Sequence, residues 1–152
     1  MIITFCGHSK YVQKKGDLER ALSVLEERIK GDAVTFYLGG YGSFDSFALM
    51  VARKYKGRHH NAKIIYVTPY MSEDYLRTHY DVAYYDGICY PPIENVPYKF
   101  AIVKRNEWMA SQAHFIVAYV IGHHGGAYAM LLYAKRRKKE IFNLAEGEAE
   151  RH

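Results

Sequence analysis

Short β-rich apolar runs alternate along this chain with segments whose apolar residues recur at helical spacing. That alternation restricts the possible folds more than any other feature. "MIITFC" (1–6), "AVTFYL" (33–38), "AKIIYVTPY" (62–70), "HFIVAYV" (114–120) and "EIFNL" (140–144) read as strands. Between them lie helical patterns. "DLERALSVLEERIK" (17–30) sets Leu18, Ala21, Leu22, Leu25 and Ile29 at helical spacing, with Asp17 as the expected N-cap and Gly31 as the stop. "FDSFALMVARKY" (44–55), "YKFAIVKRNEWMASQ" (98–112) and "AYAMLLYAKRRK" (127–138) follow the same rule. In 98–112 the apolar positions Phe100, Ile102, Val103 and Met109 are expected to face a core. Strand–helix alternation implies a mainly parallel central sheet with helices on both faces, a single Rossmann-like α/β domain over residues 1–146. "AEGEAERH" ends the chain, and 147–152 reads as a flexible tail.

The stretch 71–97 is less regular. "SEDYLRTHY" fits a short helix and "YDGICYPP" a short strand, while Pro91, Pro92 and Pro97 keep "PPIENVP" out of any helix interior. A lid or a long crossover fits this segment.

In parallel sheets of this kind, ligands bind outside the carboxyl ends of the strands. The rule gathers four motifs on one edge: "GHSKY" after the first strand, "GGYGSFD" after the second, "TPY" after the third, and "GHHGG" after the strand at 114–120. "GGYGSFD" lacks the Gly-Lys-Ser/Thr ending of a phosphate-binding P-loop, and its spacing is not that of the dinucleotide fingerprint. Two readings stay open. It is a structural turn in which Ser43 caps the next helix and Asp45 suits its first turn. Or it is a helix N-terminus whose bare backbone approaches an anion. "GHHGGAY" (122–128) repeats the arrangement at another strand end. His123 and His124 are adjacent, diverge, and have no third ligand in view, so no metal site is read from them. Arg105 and Asn106 in "KRNEWM" either reach solvent or hold a phosphate or ribose. His8 is a turn residue or a pocket donor.

Charge and cysteines narrow the function classes. The net charge of +5 owes much to "AKRRKKE" at 134–140. With no nucleic-acid motif beside it, that run reads as a solvated helix end favoured by the helix dipole. A nucleic-acid partner is not expected. The two cysteines, Cys6 and Cys89, match no metal spacing and fit a reduced, cytoplasmic protein. No apolar run approaches the ~20 residues of a membrane span, and the N-terminus reads as a strand rather than a signal peptide. The 15 tyrosines suit cores, base-stacking pockets and subunit interfaces alike.

Taken in order and spacing, "CGHS", "GGYGSFD", "TPY", "RNEWM" and "GGA…YAKRRKKEIFNL" resemble the SLOG superfamily. This is the Rossmann-like group named for the DNA-processing protein Smf/DprA and the cytokinin-activating LOG enzymes. The resemblance is to its small bacterial YpsA/YspA-like branch and runs from residue 2 to about residue 146. It implies a nucleotide or nucleotide-derived ligand at the glycine edge, held by a sensor or binding module in stress or phage-defence signalling. The ligand-binding residues it implies are Gly7, His8 and Ser9; Gly39, Gly40, Tyr41, Gly42, Ser43 and Asp45; Pro69 and Tyr70; Arg105 and Asn106; and Gly125, Gly126 and Ala127. No cofactor and no metal is implied.

LOG enzymes hydrolyse the N-glycosidic bond of nucleoside 5′-monophosphates, using an Arg with a following Met and a Pro-Gly-Gly-x-Gly-Thr-x-x-Glu loop. Arg105 and Met109 match the first signature, and Gly125 and Gly126 match the paired glycines. His124 stands for the Pro, Tyr128 for the later Gly, Ala129 for the Thr and Leu132 for the catalytic Glu. Without that carboxylate the LOG reaction lacks a group to stabilise an oxocarbenium-like transition state or activate water. Asp45, Arg105 and Glu107 are the remaining catalytic candidates. Relatives of this kind pair through helices, so a homodimer is expected, with apolar surface such as "AYAMLLYA" to spare.

Overall fold

Six strands form one sheet in the order β4-β3-β2-β1-β5-β6, every neighbouring pair parallel. The computed structural model of the chain describes residues 1–146, so the tail expected at 147–152 lies outside the described residues. The strands are β1 (Ile2–Gly7), β2 (Val34–Leu38), β3 (Ala62–Val67), β4 (Gly87–Cys89), β5 (Phe115–Tyr119) and β6 (Glu140–Asn143). The helices are α1 (Asp17–Ile29), α2 (Ser43–Arg58), α3 (Glu73–His79), α4 (Ala101–Gln112) and α5 (Gly125–Arg136). The α/β expectation and its parallel sheet therefore hold.

Strands covered on both faces read as continuous apolar runs, and β5, buried at every position, is the clearest case. The alternate residues of β1 separate two cores. Ile3 and Phe5 pack with α1 and α2, whereas Cys6 packs with α4 and α5 on the other face. On β2, Phe36 joins the first core, and Tyr37 points the other way to stack on Trp108 at 5.4 Å between ring centroids.

Three local expectations are corrected. Gly16, at φ 92°, takes the cap position of α1, and Asp17 is its first residue. The buried Asp17 carboxylate accepts the Lys14 N–H at 3.0 Å and the Tyr11 hydroxyl, tying the preceding loop to the helix end. Ser43 does not cap α2; Gly42 occupies that position. On α4 the inward stripe is Ala101, Arg105, Met109 and Ala110. Phe100 and Val103 are about half exposed, at 48% and 51%. The reason is phase: Tyr98–Phe100 forms a 3-10 turn and the α-helix starts at Ala101, so the i, i+4 face runs through 101, 105 and 109. Helix α5 starts two residues earlier than its apolar pattern, which puts both glycines in its first turn.

Candidate functional site

From β1 the sheet is built outward in two directions, through β2 to β4 on one side and through β5 to β6 on the other. The chains leaving β1 and β5 part at this point, since α1 covers one face and α5 the other. A crevice at such a switch point is where α/β sheets bind ligands. Here it is a cleft of about 690 Å³. One wall is the loop from β1 to α1, another is the start of α5 with Tyr119 and Ile121, and a third is α4.

Of the residues singled out from the sequence, Gly7, His8, Ser9, Tyr41 and Asp45 line this cleft. Arg105, Asn106, Gly125, Gly126 and Ala127 line it as well. The others do not. Pro69 and Tyr70 are outside the lining, and the Tyr70 hydroxyl donates to the Tyr98 carbonyl at 2.8 Å. Glu107 pairs with Lys104 at 3.3 Å and takes no part in the lining. Leu132 is likewise absent from it, as are Gly39, Gly40, Gly42 and Ser43.

The glycines of 39–42 have a packing reason. A Cβ on Gly40 would lie 2.6 Å from the Tyr66 ring, and one on Gly42 would lie 2.6 Å from Cα of Ser9. Both also have positive φ, 62° and 89°, a region open to glycine at little cost. The loop spends its donors internally. Ser43 gives both its N–H and its hydroxyl to the Ser9 carbonyl, at 3.0 and 2.7 Å, which occupies the start of α2. The N–H of Tyr41 goes to the Asp45 carboxylate at 2.7 Å.

Arg105 is almost entirely buried, with 1% of its surface exposed. Its Nη1 donates to the carbonyls of Gly39 (2.9 Å) and Val67 (2.8 Å), and its Nε to the Asn106 side chain (2.9 Å). The guanidinium thus joins the carboxyl ends of β2 and β3 to α4. It lies so close to Gly39 that a Cβ there would sit 3.1 Å from Cζ. Nη2 makes no hydrogen bond among the described residues.

Among the described residues, Asp45 is the only carboxylate in the lining. Burial pushes its pKa up from the ordinary 3.8 to about 6, against the opposing pull of the Tyr41 N–H and the Arg105 charge. A carboxyl group titrating there can take or give a proton near neutral pH. The lining also carries positive charge. Lys10 and Lys14 come from the first loop, and Lys14 Nζ donates to the Tyr119 hydroxyl while lying 4.1 Å from the centroid of that ring. His8 accepts the Ile121 N–H on Nε2 at 2.8 Å, so its proton sits on Nδ1. That bond ties the exits of β1 and β5 together.

Helix α5 presents its first turn to the cleft. His124 gives it no side-chain cap, and a Cβ on Gly125 or Gly126 would meet nothing within 4 Å. The amides of such a turn have no acceptor within the helix, and the dipole favours an anion beside them. Cys6 anchors this turn by donating its thiol to the Ala127 carbonyl at 3.2 Å; burial pushes its pKa to about 12, so it stays a thiol. Among the described residues no group of three or more His, Cys, Asp or Glu side chains is placed to hold a metal ion.

Sequence reasoning stopped at Ser9 in the first loop and so missed Lys10, Tyr11 and Lys14. Three lysines within the nine residues from His8 to Gly16, on the expected ligand edge, were the available signal. No such signal marks Tyr119 or Ile121, which reach the cleft only because β5 lies beside β1.

No family model matches the chain, and no curated protein matches it at a significant level. Solved structures do. DNA processing protein A from Streptococcus pneumoniae superposes with a TM-score of 0.60 at 14% identity, covering 93% of this chain and 49% of that one. The protein of the same name from Helicobacter pylori, described for its single-stranded DNA binding mode, gives 0.60 at 12% identity over 94% and 64%. The molybdenum cofactor carrier protein of Chlamydomonas reinhardtii gives 0.60 at 20% identity over 95% and 76%. The chain spans about half to two thirds of the length of the two DNA processing proteins. What these likenesses establish is a shared fold: this chain has the α/β architecture of DNA processing protein A and of the molybdenum cofactor carrier protein.

Proposed function

We propose that the chain is a cytoplasmic member of the SLOG superfamily, of the YpsA/YspA-like branch, and that it binds a nucleotide or nucleotide-derived ligand in the cleft between β1 and β5. The observation that carries this reading is the mix of cationic, amide and carboxylate groups that line the cleft at the switch point. Lys10, Lys14 and the uncapped first turn of α5 line the cleft together with Asp45, the one carboxylate among its described lining residues. An anionic group such as phosphate belongs with the lysines and the amides of 125–127. A sugar hydroxyl belongs with Asp45, which accepts hydrogen bonds when ionised. The ligand's ring then meets the apolar rim of Val12, Ile102, Val103 and Ile121. Sensing, in stress or phage-defence signalling, is the role that fits a site without the LOG glutamate. A homodimer through helical surfaces belongs to the same reading.

Heat or acid denaturation of freshly purified protein, followed by mass spectrometry of the supernatant, tests it. A released nucleotide-like molecule in near-stoichiometric amount is expected, or uptake of one by protein that was empty. Absence of both overturns the proposal.

A second reading has one observation in its favour. Asp45, with its pKa raised to about 6 inside the cleft, is suited to acid–base work at an N-glycosidic bond. Leu132 at the LOG glutamate position argues against it, and Glu107 lies outside the lining. Incubation with nucleoside 5′-monophosphates separates the readings: free base appears only if the bond is cut.

A further inference from the structure

Among the described residues, four phenyl or phenol rings line the cleft: Phe5, Tyr11, Tyr41 and Tyr119. Three of them are buried and packed against other rings, Phe5 on Phe36 and Tyr11 edge-on to Tyr119 at 4.8 Å. Tyr41 differs. It is 52% exposed and makes no ring contact among the described residues. Its backbone is nevertheless tied down. Tyr41 stands between Gly40 and Gly42, both at positive φ, where the chain runs close against the Tyr66 ring and the Ser9 backbone. Further along the same loop, Ser43 gives its N–H and its hydroxyl to the Ser9 carbonyl. The Tyr41 N–H itself goes to Oδ2 of Asp45 at 2.7 Å. A tyrosine side chain has few torsions to fix, so on a backbone held this way a flat ring laid against it costs little further order.

The bond to Asp45 also decides what lies beside that ring. Oδ2 is taken by the Tyr41 amide, and Oδ1 has no hydrogen-bond partner among the described residues. The acceptor suited to a sugar hydroxyl and the exposed ring of the lining thus belong to two residues joined by a hydrogen bond. Sugar and base are neighbours in the same way within one nucleoside. The aliphatic rim of the cleft supplies apolar surface but no π-face.

We propose that Tyr41 stacks on the base of the ligand, and that the cleft therefore selects a nucleotide over the corresponding sugar phosphate. This inference rests on the cleft reading above and adds to it the residue that makes the base a determinant of binding. Stacking on an aromatic side chain is tolerant of base identity, because every base has a π-face. The selection is for an aromatic base rather than for one particular base.

The test is calorimetric titration of wild type, Tyr41→Ala and Tyr41→Phe with AMP and with ribose 5-phosphate, folding being checked by circular dichroism. Wild type is expected to bind AMP about tenfold or more tightly than ribose 5-phosphate, the worth of one stacked base. Tyr41→Ala erases that advantage and leaves ribose 5-phosphate binding unchanged, and Tyr41→Phe, which keeps the ring, retains it. If wild type binds both probes equally well, the stacking role is refuted while a phosphate and sugar site in the cleft stands. An AMP advantage that survives Tyr41→Ala also refutes it. A Tyr41→Ala protein that loses both probes alike assigns Tyr41 to the shape of the loop and refutes it as well. Binding of neither probe by wild type overturns the cleft reading together with this inference.

Discussion

Replacing Arg105 with alanine should damage the fold before it damages any binding. Arg105 is among the largest fully buried side chains, and its Nη1 satisfies the carbonyls that end β2 and β3. Truncation leaves both acceptors facing a cavity. An unsatisfied buried acceptor costs about 1–3 kcal/mol, and a large-to-small change in a core about 2–5 kcal/mol. These overlap, because water entering the cavity meets part of the lost bonding. A loss of about 3–5 kcal/mol follows, against a total of roughly 5–15 kcal/mol for a domain. With a urea m-value of about 2 kcal/mol per molar, the midpoint falls by about 2 M. Arg105→Met fills most of the volume without reaching the carbonyls, and Arg105→Lys keeps the charge without the fork. Both should fall between wild type and alanine. Urea unfolding followed by circular dichroism reads all four proteins. If Arg105→Ala unfolds within about 0.5 M of wild type, the side chain does not hold the strand ends. It would then be a donor kept for a ligand.

Other expectations concern single groups. Asp45 has its folded pKa raised from 3.8 to about 6, so the folded state holds the proton more tightly than the unfolded one, and stability falls as pH rises through that interval. Asp45→Asn keeps an acceptor for the Tyr41 N–H; it should match wild type near pH 4 and exceed it by about 1–2 kcal/mol above pH 6, as read from urea midpoints across pH. An equal gap at every pH would contradict the raised value. Gly40→Ala, with positive φ and the Tyr66 ring 2.6 Å from the new carbon, should cost about 1–3 kcal/mol. Gly126→Ala, with nothing within 4 Å, should leave the melting temperature unchanged or slightly raised; equal losses at the two sites would refute the packing argument. Sedimentation at tens of micromolar, a range suited to modest affinities, should show a dimer, and a monomer there would remove that part of the proposal.

Much of the fold was legible because parallel strands buried on both faces must be apolar, and the covering helices must carry one apolar stripe. The carboxyl edge was legible for the same reason: once every strand runs one way, each strand-to-helix turn falls on one side. What sequence could not show is which distant backbone a side chain meets. Arg105 reads as a surface charge on a hydropathy pattern, yet its partners are two carbonyls, and carbonyls leave no mark on residue type. That burial shifted the inward stripe of α4 away from Phe100 and Val103. The glycines of 39–42 were equally opaque, since Tyr66 reaches Gly40 from β3 and the backbone of Ser9 reaches Gly42 from the loop after β1. Lys10 and Lys14 look like solvated loop lysines until β5, paired with β1, brings Tyr119 and the start of α5 into the same cleft.

The measurement that bears most directly on the cleft is a titration of AMP against wild type, Gly126→Val and Lys14→Ala. Gly126 lies in open space in the uncapped turn of α5, so a valine there keeps the fold and fills the approach to its amides. Binding to wild type, with Gly126→Val weaker by at least tenfold and Lys14→Ala weaker by about tenfold, the worth of one charged hydrogen bond, is the predicted result. Three folded proteins that bind AMP equally well would make these glycines no more than the start of a helix and contradict the assignment of the cleft.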